Sequence, residues 1–269
     1  MPTAAERAHH ILKKLERANA HANALRDAVL EFRNTDPFKV GITRDPVSRR
    51  PVYLITAAHA VPDSLALIAG DAIQNLATAL DHLAYQLVSK DTSDPPPKAS
   101  KIYFPIGDDQ VDYEAKKGRQ LPGLSARALT LIDAIRPYRG GNDTLWRLGR
   151  LNNIEKHRLL FTVGGQSDGV NLGQIMAKLW PQATPPEVVA ETANMGILLK
   201  PADKGFPLKP GFELYKGRVD EEFDTELSFQ FAVVLNEPNI VEGLPIVETI
   251  FEMGMAVDTV IAALLPLLE

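Results

Sequence analysis

The sequence predicts an α+β protein: mainly a helical bundle with an antiparallel β segment before the C-terminal helix. Apolar residues recur at helical spacing through much of the first 160 residues and again near the C-terminus. From about 165 to 240, short apolar runs alternate with glycine, proline and acidic turns, which is typical of antiparallel strands. We therefore expect a single domain over 1–269, with a bundle formed by about 3–163 and 245–268.

The first two predicted helices flank a short predicted hairpin. The first helix covers about 3–32 in an alanine-rich segment, and Asp36-Pro37 follows it as a stop signal. The run FKVGIT, the turn RDPVSRR and the run PVYLITAA indicate a hairpin at about 38–57. The second helix covers 63–89 and carries an apolar seam for packing against other helices. This seam consists of Ala69, Ile73, Leu76, Leu80, Leu83 and Leu87.

The loop DTSDPPPKAS separates the second helix from two further predicted helices, because consecutive prolines cannot continue a helix. The first of these covers about 125–137, and the second begins at Asn142 or Asp143 and continues to about Thr162. Residues 171–190 fit a helix and a strand equally well. The last segment, PIVETIFEMGMAVDTVIAALLPLLE, returns to helical spacing and predicts the C-terminal helix.

Composition and charge exclude several classes of protein. Apolar residues make up 45% of the 269 residues and charged residues 23%, which is typical of a soluble globular protein. No stretch approaches ~18 consecutive apolar residues, so we expect no membrane span and a cytoplasmic location. The chain has no cysteine, which excludes disulfides, thiolate metal sites and cysteine nucleophiles. The net charge of −5 gives no global attraction to nucleic acid, so RNA binding would need a local basic patch.

A polar stripe follows the second helix nearly opposite its apolar seam. Asp71, Asn75, Thr78 and His82 lie at i, i+4, i+7 and i+11, within ~60° of one another around the helix axis. One interpretation is an ordinary solvated face. Such faces usually collect glutamate, lysine and arginine, whereas asparagine, threonine and histidine are poorer helix formers. The stripe is therefore also a candidate site.

A second polar stripe lies in LWRLGRLNNIEKHRLLF, on the fourth predicted helix. Arg150, Asn153 and His157 fall at i, i+3 and i+7, and Lys156 and Arg158 flank the histidine. On one helix, Arg150 and His157 would be ~20° apart around the axis and ~10 Å apart along it. They could then converge on one phosphate-sized group. The alternative is a surface arginine and histidine that interact with the helix dipole.

These segments resemble, in order, a family of uncharacterised bacterial proteins. The segments GDAIQNLATALDHL, FPIG and LGRLNNIEKHR match the family pattern GD-x-x-H-N-L-R-x-A-L-D-H-L, then FPI, then L-x-x-L-N-N-x-D/E-K-H-R. The chain departs from this pattern in having Gln74 in place of histidine and Ala77 in place of arginine. The resemblance implies no particular activity.

The spacing of Arg150 and His157, with six residues between them, also resembles the R-x(4–6)-H signature of HEPN-domain ribonucleases. Members of that superfamily are helical bundles and commonly dimerise so that two such motifs meet. The resemblance therefore implies a homodimer that cuts single-stranded RNA. A polar residue usually follows the arginine in that superfamily, whereas Leu151 follows it here, with Asn152 and Asn153 next.

A metal-free cut of RNA needs a base for the 2′-hydroxyl proton and a cation for the pentacovalent phosphate. His157 would be the base, since histidine titrates near neutral pH. Arg150 would hold the phosphate through its fork of donors. Asn153 would orient the 2′-hydroxyl or the phosphate, while Lys156 and Arg158 would add positive charge. The expected product is a 2′,3′-cyclic phosphate.

We predict that the second and fourth helices are adjacent, with Asn75 or His82 within side-chain reach of the Arg150–His157 edge. Asp71, Asn75 and His82 would then help to bind the substrate. In a non-catalytic alternative, the protein is a dimerising scaffold or ligand-binding protein, and the two stripes form a buried polar network. Arg150 would pair there with Asp71 or Asp81, and Asn75 with Asn153.

A divalent metal site built from Asp71, Asp81, His82 and His157, with His59 as a further candidate ligand, is another alternative. Asp81 and His82 are adjacent, so on a helix they point ~100° apart. No H-x-x-x-H or E-x-x-H pair places two ligands on one helix face. We therefore predict that the protein carries no metal and no other cofactor.

Overall fold

The computed structural model describes residues 3–160, 162–171, 187, 196–197, 207–216 and 229–269. Within these ranges the chain forms six α-helices and two small antiparallel sheets, so the predicted α+β class is confirmed. The segment that fits both helix and strand, 171–190, lies outside the described residues apart from its first residue and Glu187.

The helices and strands alternate in blocks along the chain. The helices are α1 Ala4–Asn34, α2 Asp63–Asp91, α3 Gln110–Gln120, α4 Ala126–Ile135, α5 Asp143–Glu155 and α6 Ile246–Leu264. The strands are β1 Phe38–Arg44, β2 Pro51–Ala58, β3 Thr162–Asn171, β4 Gly196–Ile197, β5 Glu213–Lys216, β6 Phe229–Glu237 and β7 Val241–Pro245. Short 3-10 turns lie at Ala99–Lys101 and Leu265–Leu268.

Helix α2 is the centre of the bundle, because α1, α5 and α6 all pack against it. Its predicted apolar seam is buried along its whole length. The alanines between the seam positions are buried as well, so α2 is covered on more than one side. Helix α1 begins with a capping box in which the side chains of Thr3 and Glu6 satisfy each other's backbone amides.

Phe38 of the hairpin brings the two sheets into contact with each other. Strands β1, β2 and β5 form one sheet, and β4, β3, β6 and β7 form the other in that order. Phe38 of β1 packs on β3, where a Cβ atom added to Gly164 would lie 2.2 Å from its ring. The ring of Phe38 also lies 5.2 Å from the ring of Phe231 on β6. A glycine at position 164 therefore leaves the room that this aromatic contact needs.

Helix α5 is shorter than the sequence predicts. It ends at Glu155, the chain turns through Lys156 and His157, and β3 begins at Thr162. The predicted continuation to about Thr162 is wrong. Arg150 and His157 are therefore not on one helix, and the angular and axial separation predicted for them does not apply.

Helix α3 has no counterpart in the predicted elements. The carboxylate of Asp109 caps it by accepting a hydrogen bond of 2.8 Å from the amide of Asp112. Tyr113 is its only fully buried residue. With so little apolar periodicity, QVDYEAKKGRQ carries no helical pattern to detect.

Among the described residues one helical segment, Ile246–Leu268, is long and apolar enough by length and composition to cross a membrane. One of its faces is buried against α1, α2 and α5. Its other face exposes Glu248, Glu252 and Asp258, which would be costly in a lipid environment. We therefore interpret this segment as a core helix of the bundle.

Candidate functional site

A cleft of about 310 Å³ opens between α2, the loop before α3, α3 itself and α5. Aromatic and aliphatic side chains of the loop form one wall, and α5 supplies the opposite wall. The polar residues that line the cleft include Asp81, Asp108, Gln120, Arg150, Asn152, Asn153 and Lys156. Its size lies at the lower end of the range for small-molecule sites, roughly 300–1,000 Å³.

Asp81 is largely buried at the base of the cleft, where α2 meets the loop. Its Oδ1 atom accepts a hydrogen bond of 2.9 Å from the backbone amide of Phe104. Burial raises the pKa of the Asp81 carboxyl to about 6, and the Phe104 bond and the charge of Lys156 offset only part of this effect. A carboxyl group that titrates near neutral pH inside a cleft is a candidate for ligand binding or proton transfer.

Arg150 is held only loosely at the mouth of the cleft. Its Nη1 atom lies 3.4 and 3.5 Å from the two carboxylate oxygens of Asp108, and both side chains are largely exposed. The indole of Trp146 donates to the same carboxylate over 3.3 Å. These are long contacts, and exposed ion pairs of this kind contribute little stability. The guanidinium of Arg150 is therefore available to an incoming anion.

Asn153 and Lys156 are exposed on the same wall as Arg150. The ammonium group of Lys156 makes no hydrogen bond or ion pair with another described residue. Deeper in the cleft lining, the side-chain oxygens of Gln120 and Asn152 are buried and accept no hydrogen bond within the described part of the chain. Buried acceptors without a donor are costly, and they concentrate at this cleft.

The structure separates His157 and Arg158 from the cleft. His157 is exposed in the turn after α5 and does not line the cleft. Arg158 instead donates to both carboxylate oxygens of Glu237 on β6, over 2.9 and 2.7 Å. Because this guanidinium is engaged with a buried partner, Arg158 has a structural role that the sequence does not reveal.

The polar stripe of α2 faces α1 rather than α5. Lys14 of α1 lies 3.4 Å from Asn75, and His21 of α1 lies 3.9 Å from Asp71. Burial lowers the pKa of His82, and the positive charges of Lys14 and His10 lower it further. The adjacency of the second and fourth predicted helices is confirmed.

The predicted meeting of the two stripes is wrong, since no contact within the described ranges joins Asn75 or His82 to Arg150 or His157. The pairings expected for a buried network are also wrong. Arg150 pairs with Asp108, and neither Asp71 nor Asp81 takes that place.

Gly70 lies at the contact between α2 and α5. A Cβ atom added at this position would lie 2.3 Å from Cδ of Glu155, so a larger residue there would require the Glu155 side chain to move. Burial raises the pKa of Glu155, and the nearby charge of Asp71 raises it further. The G-D pair of the sequence motif therefore lies at the junction of the two helices.

Asp81, Asp108 and Gln120 are cleft residues that sequence reasoning did not assign to this site. From the sequence, Asp81 is predicted only as an alternative metal ligand and as a partner of Arg150 in the non-catalytic alternative, and the other two belong to segments without a predicted element. Among the described residues no group of three or more histidine, aspartate or glutamate side chains could hold a metal ion.

No family model, curated protein or solved structure matches this chain.

Proposed function

We propose that the cleft between α2, α3 and α5 binds a nucleotide. The observation that supports this proposal best is the arrangement of one largely buried carboxyl group and two exposed cations around a single cleft. Asp81 lies at the base, while Arg150 and Lys156 lie at the rim. Such an arrangement suits a ligand with hydrogen-bond donors at one end and an anionic group at the other.

The phosphate group would bind at the rim. Arg150 offers a planar fork of donors that fits phosphate oxygens, and its present contact with Asp108 is long and exposed. Lys156 offers a second positive charge, and its ammonium group makes no hydrogen bond or ion pair within the described part of the chain. Both residues lie on the same wall, so one phosphate group could reach both of them.

The base of the nucleotide would bind in the interior. Among the described residues only the amide of Phe104 donates to Asp81, and it donates to Oδ1, so Oδ2 can accept a hydrogen bond from a base N–H group. Tyr103 lines the cleft and is 47% exposed, which leaves its ring available for stacking. Guanine fits this site well, because it presents neighbouring N–H donors on one edge.

The binding of guanosine 5′-monophosphate (GMP), measured by isothermal titration calorimetry, tests this proposal. Arg150→Ala and Lys156→Ala should each weaken binding about tenfold, since each removes a charged hydrogen-bond donor. Asp81→Asn should weaken the binding of GMP but not that of ribose 5-phosphate, which has no base.

Lys13→Ala is the matched control, because Lys13 is an exposed lysine on α1 that pairs with Glu16. This variant should bind GMP as the wild type does. A wild-type protein that binds neither compound, or cleft variants that bind GMP unchanged, would contradict the proposal.

A second candidate function is metal-independent cleavage of single-stranded RNA. It is favoured by the observation that Arg150, Asn153 and Lys156 line one wall of the cleft, where a phosphodiester could bind. His157 would act as the base from the turn after α5. This candidate expects a cytoplasmic homodimer that places two such sites together.

Incubation of the purified protein with mixed single-stranded RNA in the presence of a chelator tests this candidate. We expect products with 2′,3′-cyclic phosphate ends, no cutting by His157→Ala, and slower cutting by Arg150→Ala. Lys13→Ala should cut as the wild type does, and sedimentation should show a dimer. A wild type that binds GMP but leaves RNA intact would favour a ligand-binding protein without catalysis.

A further inference from the structure

A second hollow of about 280 Å³ lies directly beside the cleft. Its walls are formed by Arg139, by part of α5 and by the turn Pro238–Ile240 that follows β6. The cleft and the hollow share Asp108, Trp146 and Arg150. These three residues therefore stand between two spaces that open on the same side of α5.

Arg139 gives the hollow its own positive charge. Its guanidinium lies over the ring of Trp146, 5.0 Å from the ring centroid, and the side chain is exposed. Arg139 forms no ion pair with any residue in the described part of the chain. Stacking on an aromatic ring fixes the direction of the guanidinium while leaving its donors free for an anion.

Asp108 lines both the cleft and the hollow, and its side chain is weakly bound there. Its contacts with Arg150 and with the indole of Trp146 all lie between 3.3 and 3.5 Å. A terminal phosphate group carries more acceptor oxygens and more charge than a carboxylate, so it competes well for the same donors. An anion that binds Arg150 would replace its contact with Asp108, and the loss of that contact would cost little free energy.

We propose that the cleft and the hollow together form one extended site for a dinucleotide with two phosphate groups. One phosphate binds at Arg150 and Lys156, and the other binds at Arg139 in the hollow. The proposal rests on the nucleotide-binding function proposed above, and it adds that the ligand extends past a single nucleotide. Four cationic or amide side chains, Arg139, Arg150, Asn153 and Lys156, then follow the backbone of the ligand.

The test compares the 5′-phosphorylated dinucleotide pGpG, which has two phosphates, with GMP, which has one, by isothermal titration calorimetry. The wild type should bind pGpG about tenfold more tightly than GMP, since a second charged contact forms. Arg139→Ala should remove this advantage and leave the affinity for GMP unchanged. Asp108→Asn should strengthen the binding of both compounds severalfold, because it removes a competing negative charge.

Arg127→Ala is the matched control, since Arg127 is an exposed arginine on α4 that lines neither space. It should keep the full preference for pGpG. If Arg139→Ala also keeps that preference, or if the wild type binds both compounds equally, the extended site is overturned while GMP binding in the cleft stands. If neither compound binds to the wild type, the extended site and the proposed function are both overturned.

Discussion

Replacing Arg158 with alanine should lower the free energy of unfolding by about 1–3 kcal/mol, the cost of removing the donor from a buried acceptor, because the arginine side chain is itself 55% exposed. Glu237 is only 1% exposed, and Arg158 donates to both of its carboxylate oxygens. The alanine variant would leave a buried carboxylate without these two hydrogen bonds. Urea unfolding at pH 7, followed by circular dichroism, measures the change.

Two further variants sharpen this prediction. Arg158→Lys keeps the positive charge but not the fork of donors, so its stability should fall between those of the wild type and the alanine variant. Lys156→Ala, two residues earlier, removes an exposed cation that makes no hydrogen bond or ion pair with a described residue, and it should change stability by no more than about 0.5 kcal/mol. An Arg158→Ala protein as stable as the wild type would show that the pair contributes nothing to the fold.

Asp81→Asn should raise the free energy of unfolding by about 3 kcal/mol at pH 8, since one pKa unit corresponds to 1.36 kcal/mol. The pKa of Asp81 rises from 3.8 to about 6 on folding, so the ionised side chain disfavours the folded state at pH 8. Asparagine keeps an oxygen for the amide of Phe104 but carries no charge to bury. Urea unfolding of both proteins at pH 8 measures the gain.

The stabilisation by Asp81→Asn should depend on pH, whereas a change in side-chain packing alone would stabilise the protein equally at every pH. A raised folded-state pKa means that the protonated carboxyl favours folding below pH 4 and that this contribution is lost as the pH rises to about 6. The advantage of Asp81→Asn should therefore be small at pH 4, grow between pH 4 and 6, and stay constant above. Asp258→Asn, on the exposed side of α6, should show no such trend. If Asp81→Asn raises the free energy of unfolding equally at pH 4 and pH 8, removal of a buried charge is not the cause.

The sequence predicts those helices whose apolar side chains follow a helical period. Helices α1 and α2 have such a pattern because each buries a continuous face. The predicted α5 is too long because Leu159 and Leu160 continue its apolar pattern past the true end at Glu155. The segment after that end is held by the pair between Arg158 and Glu237, which are 79 residues apart in the chain. Local periodicity contains no information about such a contact.

The sequence indicates residues of the candidate site only where they lie on a helix with a clear apolar period. Arg150 and Asn153 stand out in the sequence because they share one side of α5, and Lys156 stands out because it adjoins His157. Asp81 does not stand out, because α2 is buried on several sides and an acid on it could face any of three neighbours. Asp108 lies in a loop whose position depends on tertiary packing, so neither pattern nor spacing indicates its place in the cleft.

The pair between Arg158 and Glu237 also ties the segment after α5 to the end of β6, next to the turn that forms one wall of the hollow. Arg158 lies three residues after α5, and Glu237 immediately precedes the turn Pro238–Ile240, which forms the opposite wall. Folding therefore sets the width of the hollow before any ligand arrives, and binding need not include the cost of ordering that turn. A wall that is fixed in this way cannot move to fit a ligand of different length. We expect the hollow to select ligands by the spacing of their phosphate groups more strongly than by the identity of their bases.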